Sequence, residues 1–386
     1  MAYDTDEDAA QQKRRQDAFR GAERRLSRGG DATVAEQLAQ LAALPALLGR
    51  DPDEGPDTYG NGVVAELERR VAALLGLEDA AYFPSGTMAQ QVALRCWAAR
   101  TGSPVVALHP RSHPEVHEDD ALPVVSGLRT VYPTTEARQP TAAEVREHPE
   151  PFGTLMVELP LRDPGFLLPT WEELEELVAA GRERDAVIHF DGARLWETTV
   201  HFGKTLPEIA ALADTVYVSF YKSLGGLSGA VLAGPRTLIE EARVWRHRYG
   251  GQVFRQFPQA LSALAGLERE LPRLPSYVDH AKVVAGALRE GLEASGLPWF
   301  RIVPEVPVTH QFHVWAAYDA DALTEASVRQ AEETGTQLFG RWWEQDAPGL
   351  AMAELTVAHE GLSWTEQDVR DAVRGFVERI EGLGKA

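Results

Sequence analysis

The sequence predicts an α/β chain built on a mostly parallel sheet, followed by a smaller α+β region. Short apolar runs at 80–83, 105–108, 154–159, 186–190, 215–220 and 230–233 alternate with stretches of helical periodicity, the pattern of a parallel sheet covered by helices. With 386 residues and 44% hydrophobic content, the chain can bury a large core and divide into two domains. After about residue 274 the alternation gives way to a long helix, strand-like runs near 301–303 and 311–315, and a final helix. The expected division is a tail and helix over 1–50, a large domain over 51–274 and a small C-terminal domain over 275–386.

The elements follow in order. A charged tail precedes an Ala/Leu helix pattern ending near Gly49, and Asp51-Pro52-Asp53-Glu54-Gly55-Pro56 breaks regular structure. From Asn61, a possible cap, Val63, Val64, Leu67, Val71, Leu74 and Leu75 mark one helical face that Gly76 stops. Thr170 with Glu173 forms a capping box opening the helix before 186–190, and Ser363 with Glu366 could cap the last helix.

Bulk properties narrow the function. Lys and Arg total 38 against 58 Asp and Glu, a net charge of -20 that sets the global field against nucleic acid. The single Cys96 can form neither an intrachain disulfide nor a four-thiolate metal site. No signal-like apolar segment opens the sequence, and the apolar runs at 41–48 and 71–77 fall short of the roughly 20 residues that cross a bilayer. The expectation is a cytoplasmic protein without a membrane role.

Asp191 closes the apolar run Ile188-His189-Phe190, at the strand edge where open parallel sheets bind ligands, although such an aspartate is also a common turn or cap residue. Lys222 follows the apolar run ending at Phe220 and precedes Ser223-Leu224-Gly225-Gly226. A lysine there can be an ordinary loop residue, but a Schiff-base lysine needs this desolvated position so that its amine is neutral. With Asp191 to hold a proton on a pyridine nitrogen, the pair suits pyridoxal 5'-phosphate (PLP). Pro84-Ser85-Gly86-Thr87 then supplies hydroxyls and N–H groups at a helix start for a phosphate. His109, His113 and His117 recur every four residues, as metal ligands on a helix would, but Pro110 and Pro114 interrupt that helix and no metal is expected.

Tyr59-Gly60, Phe83 to Thr87, Asp191-Gly192-Ala193-Arg194, Ser219 with Lys222, and Tyr249-Gly250-Gly251 with Arg255-Gln256 together resemble the ordered motifs of the threonine aldolase and β-eliminating lyase family. The resemblance implies the PLP-dependent transferase fold of aspartate-aminotransferase type, as a homodimer or homotetramer with sites shared between subunits. By it, Lys222 would bind the cofactor covalently and Asp191 would pair with the ring nitrogen. Gly86, Thr87 and Arg255 would hold the phosphate, with Ser85 and Ser219 among the other cofactor-binding residues. His113 would stack on the ring and serve as a candidate base, while Arg194 would lie near the cofactor or the substrate carboxylate and Tyr59 near the substrate. The activity implied is retro-aldol Cα–Cβ cleavage of a β-hydroxy-α-amino acid, a lyase reaction. The alternatives are β-elimination, transamination or racemisation of a specialised amino acid, or an idle PLP-binding protein.

The pattern departs from the family around the substrate. Pro160-Leu161-Arg162-Asp163 lacks a second histidine, Leu26-Ser27-Arg28-Gly29 replaces a Ser-Asp-Thr motif, and Glu354 stands where a carboxylate-binding arginine is expected. A glutamate would repel a carboxylate, which leaves Arg194, aided by Arg162 or Arg28, to hold it.

Overall fold

The computed structural model describes residues 9–27 and 32–383. Two compact units emerge: Leu38–Pro272, and a second drawn from both ends of the chain, up to Gln37 and from Arg273 onward. The N-terminal residues thus group with the C-terminal ones, beside the expected small domain.

The Leu38–Pro272 unit is organised by a seven-stranded sheet. In spatial order its strands are Asp79–Phe83, Ala230–Gly234, Thr215–Ser219, Val187–Gly192, Thr154–Glu158, Val105–Ala107 and Arg129–Val131. The last five run parallel; Ala230–Gly234 is antiparallel to both of its neighbours. Every residue of Thr154–Glu158, Thr215–Ser219 and Ala230–Gly234 is buried, as continuous apolar strands must be when helices cover both faces. One such helix, Gly86–Thr101, presents Ala89, Val92, Ala93, Cys96 and Trp97 to Ala81, Tyr217 and Leu232. Another, Trp171–Glu183, buries Leu174, Leu177 and Val178, the spacing of one helical face.

The edge strand Arg129–Val131 has no sequence expectation, because three residues beginning Arg-Thr carry too little apolar signal. Gly76 ends Val63–Leu75 in the left-handed region, and Thr170 with Glu173 makes both bonds of a capping box. The Val63–Leu75 cap is Gly62, however, while the Asn61 side chain accepts from Thr58 N–H. The histidine segment also differs: a five-residue helix, His113–His117, forms with Pro114 in its first turn, where a missing N–H costs nothing.

The other unit pairs Phe300–Val303, Gln311–Ala316, Ala351–Thr356 and Trp343–Glu344 in an antiparallel sheet. Phe312, Val314, Ala353 and Leu355 face a core shared with Ala281, Leu288, Leu323, Val373 and Phe376 from helices. Trp343–Glu344 is too short to announce itself in sequence. The last helix, Glu366–Leu383, is capped by Thr365 and Asp368, whose side chains bond each other's backbone N–H at 3.2 and 2.8 Å. Ser363 instead bonds Glu360 O.

Because a cap side chain satisfies otherwise orphaned N–H groups, Thr365→Ala is expected to lower unfolding free energy by about 1 kcal/mol. Ser363→Ala should change it by less than about 0.5 kcal/mol. Denaturant titration of both variants checks the assignment.

Candidate active site

The site grows from the carboxyl ends of adjacent parallel strands. Glu158 and Asp191 close neighbouring strands and are register partners, and Asp191 is in turn opposite Tyr217 on the strand leading to Lys222. The sheet therefore sets two carboxyl groups and an amine side by side at the ligand-binding edge. Gly192 permits the close strand approach after Asp191, since a Cβ there would lie 2.7 Å from Tyr217 O.

Burial decides the charges. The half-buried Lys222 is pushed down to about 8 by desolvation and then by the Arg194 guanidinium, against the pull of Asp191 and Glu158. At pH 7 the neutral amine rises from ~1 in 2,500 molecules for an ordinary lysine to ~1 in 10. Glu158 is pushed up to about 8 by burial and the Asp191 charge, which outweigh the backbone N–H groups of His113 and Arg162 at 2.8 and 3.2 Å. Burial also raises Asp191, opposed by Lys222 and His113, and its Oδ1 accepts from Ala193 N–H at 3.1 Å. Burial thus drives both acids toward the neutral form, Glu158 to about 8, while Lys222 pulls Asp191 back toward the charged one.

Burial lowers His113, whose Nδ1 lies 3.3 Å from Glu118 Oε1, so the imidazole is neutral at pH 7. Arg194 is buried against Phe166, with the guanidinium 5.1 Å from the ring and no hydrogen-bond partner at Nε among the described residues. Ser219 Oγ is fully buried and likewise without one. Ser85 caps the Gly86–Thr101 helix by accepting from Met88 N–H at 3.3 Å, followed by Gly86 and Thr87 in the first turn. A Cβ on Gly86 would fall 2.1 Å from Tyr217 Oη, so only glycine leaves that turn in place.

Tyr59 sits at a positive φ of 53°, exposed, edge-on to Phe254 at 5.2 Å. Arg255 turns its guanidinium to Pro56 O at 3.1 Å, Thr58 Oγ1 at 3.0 Å and Asp57 O. Glu354 belongs to the other unit, opposite His313, with Oε2 3.9 Å from His313 Nε2. Arg28 lies outside the described residues.

The β-eliminating lyase family matches residues 51–313. The chain belongs to the β-eliminating lyase family. It is a PLP-dependent lyase. Among its relatives within and beyond that match, the low specificity L-threonine aldolase of Escherichia coli K12 is 30% identical over 61% of this chain and 72% of its own length. The low-specificity L-threonine aldolase 1 of Arabidopsis thaliana is 28% identical over 69% and 73%. A solved structure from Listeria monocytogenes, provisionally assigned as an L-allo-threonine aldolase, is 34% identical over 95% of this chain and 99% of that one, with a TM-score of 0.85. PLP-binding serine palmitoyltransferase, at 15% identity and a TM-score of 0.64, shares the fold.

The residues of this family member fit PLP. An orphaned serine hydroxyl, a cradle that a single Cβ would disrupt, a depressed lysine and a buried carboxylate are the donors, nucleophile and acceptor that a phosphate, an aldehyde and a protonated pyridine nitrogen require. Glu158, Glu118, His117, Asp163, Tyr217 and Tyr221 carry no role in the motif reading. Glu158 had a signal: Thr154–Glu158 is a buried strand closed by a carboxylate, as Val187–Gly192 nearly is at Asp191.

Since the neutral amine is the reactive form, covalent capture of PLP by apoprotein is expected to quicken as pH rises through about 8 and then level off. Borohydride trapping with peptide mapping should find the modification on Lys222 and none in Lys222→Ala.

Proposed function

We propose that this chain cleaves the Cα–Cβ bond of a β-hydroxy-α-amino acid by retro-aldol chemistry. The observation that carries the reading is Lys222, its amine held down to about 8 at the end of a buried strand beside Asp191 and Arg194. The names of its relatives, threonine aldolases among them, support the substrate class. Bound PLP supplies a protonated pyridine ring that withdraws the electron pair left on Cα.

The chain's own residues divide the remaining work. Lys222 holds the cofactor and yields it to the substrate amine. Asp191 keeps a proton on the ring nitrogen, because an ionised carboxylate with few competing donors favours a cationic partner. Gly86 and Thr87 offer N–H groups at a positive helix terminus, and Ser85, Ser219 and Arg255 offer further phosphate donors. Neutral His113 packs against the ring. Arg194, aided by Arg162, takes the α-carboxylate. Tyr59 and Glu354 are the substrate-selective residues, with Glu354 disfavouring a plain α-carboxylate.

We place the protein in the cytoplasm as a homodimer or homotetramer. Tyr59, Tyr221, Leu227, Val253, Phe254 and Phe257 are exposed apolar side chains within one unit, the kind of surface that association covers. No helix among the described residues is long and apolar enough to cross a membrane.

An amino-acid panel read for glycine, keto acid and ammonia tests the reaction. Glycine and aldehyde are expected from a β-hydroxy amino acid; ammonia or keto acid alone would establish elimination or transamination instead. Threonine should react more slowly than a larger β-hydroxy amino acid, and Glu354→Arg should not impair its cleavage.

Asp191→Asn is expected to keep the fold and some PLP while losing about 100-fold or more in kcat, since an amide cannot hold the ring proton. Steady-state kinetics with PLP content measured by absorbance checks it.

A further inference from the structure

Retro-aldol cleavage begins by removing the β-hydroxyl proton, a task separate from the ring-stacking role proposed for His113. Its Nδ1 is 3.3 Å from Glu118 Oε1, and its main chain is fastened to Glu158. One helical turn on, the His117 ring lies 5.3 Å from the His113 ring at 54°. His117 Nε2 is 3.3 Å from Asp163 Oδ1. Asp163 is itself pinned, with Arg111 Nε and Nη2 both 3.1 Å from its Oδ2. Although burial would raise it, the hydrogen bonds from His117 and Arg111 hold the Asp163 carboxyl down to about 2, so it is ionised at every working pH.

We infer that His117, oriented by Asp163, is the base that accepts the substrate's β-hydroxyl proton. The inference rests on the retro-aldol reading above. An imidazole that gives Nε2–H to a carboxylate carries its basic lone pair on Nδ1. In the step, the O–H proton passes to Nδ1 and the O–H pair becomes the carbonyl π bond. The Cα–Cβ pair stays on Cα, and a proton delivered to Cα completes glycine and aldehyde.

Arg162 couples this base to substrate. Its Nη1 is 3.4 Å from His117 Nε2. A guanidinium only donates, so Arg162 competes with Asp163 for that nitrogen and favours the opposite tautomer. Arg162 also acts electrostatically on Lys222, which puts its charge at the reacting end of the site. A substrate carboxylate offers Arg162 a bidentate partner and leaves Nε2–H to Asp163. The base is then set in the productive tautomer when an amino acid binds.

The test separates β-hydroxyl chemistry from everything else the holoenzyme does. Glycine has no β-hydroxyl, so exchange of its α-proton in deuterium oxide, followed by NMR, needs the cofactor and not this base. In His117→Asn, cleavage of the best β-hydroxy amino acid should fall about 100-fold or more, with glycine exchange and PLP absorbance close to native. In His117→Gly, added imidazole should restore cleavage. Asp163→Asn should lose cleavage selectively too, by a smaller factor, and guards against misfolding of either histidine variant. Cleavage that survives loss of His117, or a parallel fall of cleavage and exchange, would overturn the proposal alone. Native enzyme that exchanges glycine but cleaves no β-hydroxy amino acid would overturn the retro-aldol reading, and this proposal with it.

Discussion

The site depends on the enforced burial of opposite charges at the carboxyl edge of the parallel sheet. Strand register places Glu158 beside Asp191 and sets Asp191 across from the strand that delivers Lys222. Glu158 and Asp191 are buried and Lys222 is half-buried, so each takes its protonation state largely from its neighbours. Isolated burial of an ion costs several kcal/mol, and mutual attraction offsets that cost only while the partners remain together. The sheet keeps them together.

From that constraint the divided roles follow. Glu158 is neutral and spends its oxygens on the His113 and Arg162 N–H groups, fixing the two loops that flank the site. Lys222 draws Asp191 toward its charged form against the effect of burial. Lys222 becomes a usable nucleophile because desolvation and then Arg194 disfavour its charged form, while Asp191 stops the pKa from falling further. Pairs of groups whose environments drive their protonation apart are a common mark of acid–base machinery. Behind the sheet, Trp97 Nε1–H donates to Thr215 Oγ1, which leaves the Thr215 proton for His189 Nδ1 and the His189 Nε2 proton for Gln90 Oε1, at 2.8, 2.8 and 2.5 Å. This buried chain ties the Gly86–Thr101 helix, the proposed phosphate cradle, to the Asp191 strand.

Much of this was legible in the sequence, for a local reason. A buried parallel strand is a continuous apolar run, so Ile188 to Asp191 and Val216 to Lys222 announce both the strand and the polar residue that ends it. Caps were legible where the pairing is local, as at Thr170 and Glu173, and misread by two residues at Ser363, where Thr365 with Asp368 offers the same chemistry in a neighbouring frame. Contacts between distant segments left no such trace. Nothing in the sequence joins His117 to Asp163, or Glu354 to His313, because each pairing is made by the fold. Short edge strands such as Arg129–Val131 are held by their neighbours rather than by their own residues.

The central claim is the proposal that Asp191 holds a proton on the cofactor's ring nitrogen. NMR of holoenzyme carrying PLP labelled with nitrogen-15 in the ring measures that proton directly. The account predicts a pyridinium-type chemical shift from pH 6 to 8 in the native protein and its loss in Asp191→Asn. A native spectrum of unprotonated pyridine nitrogen would contradict it.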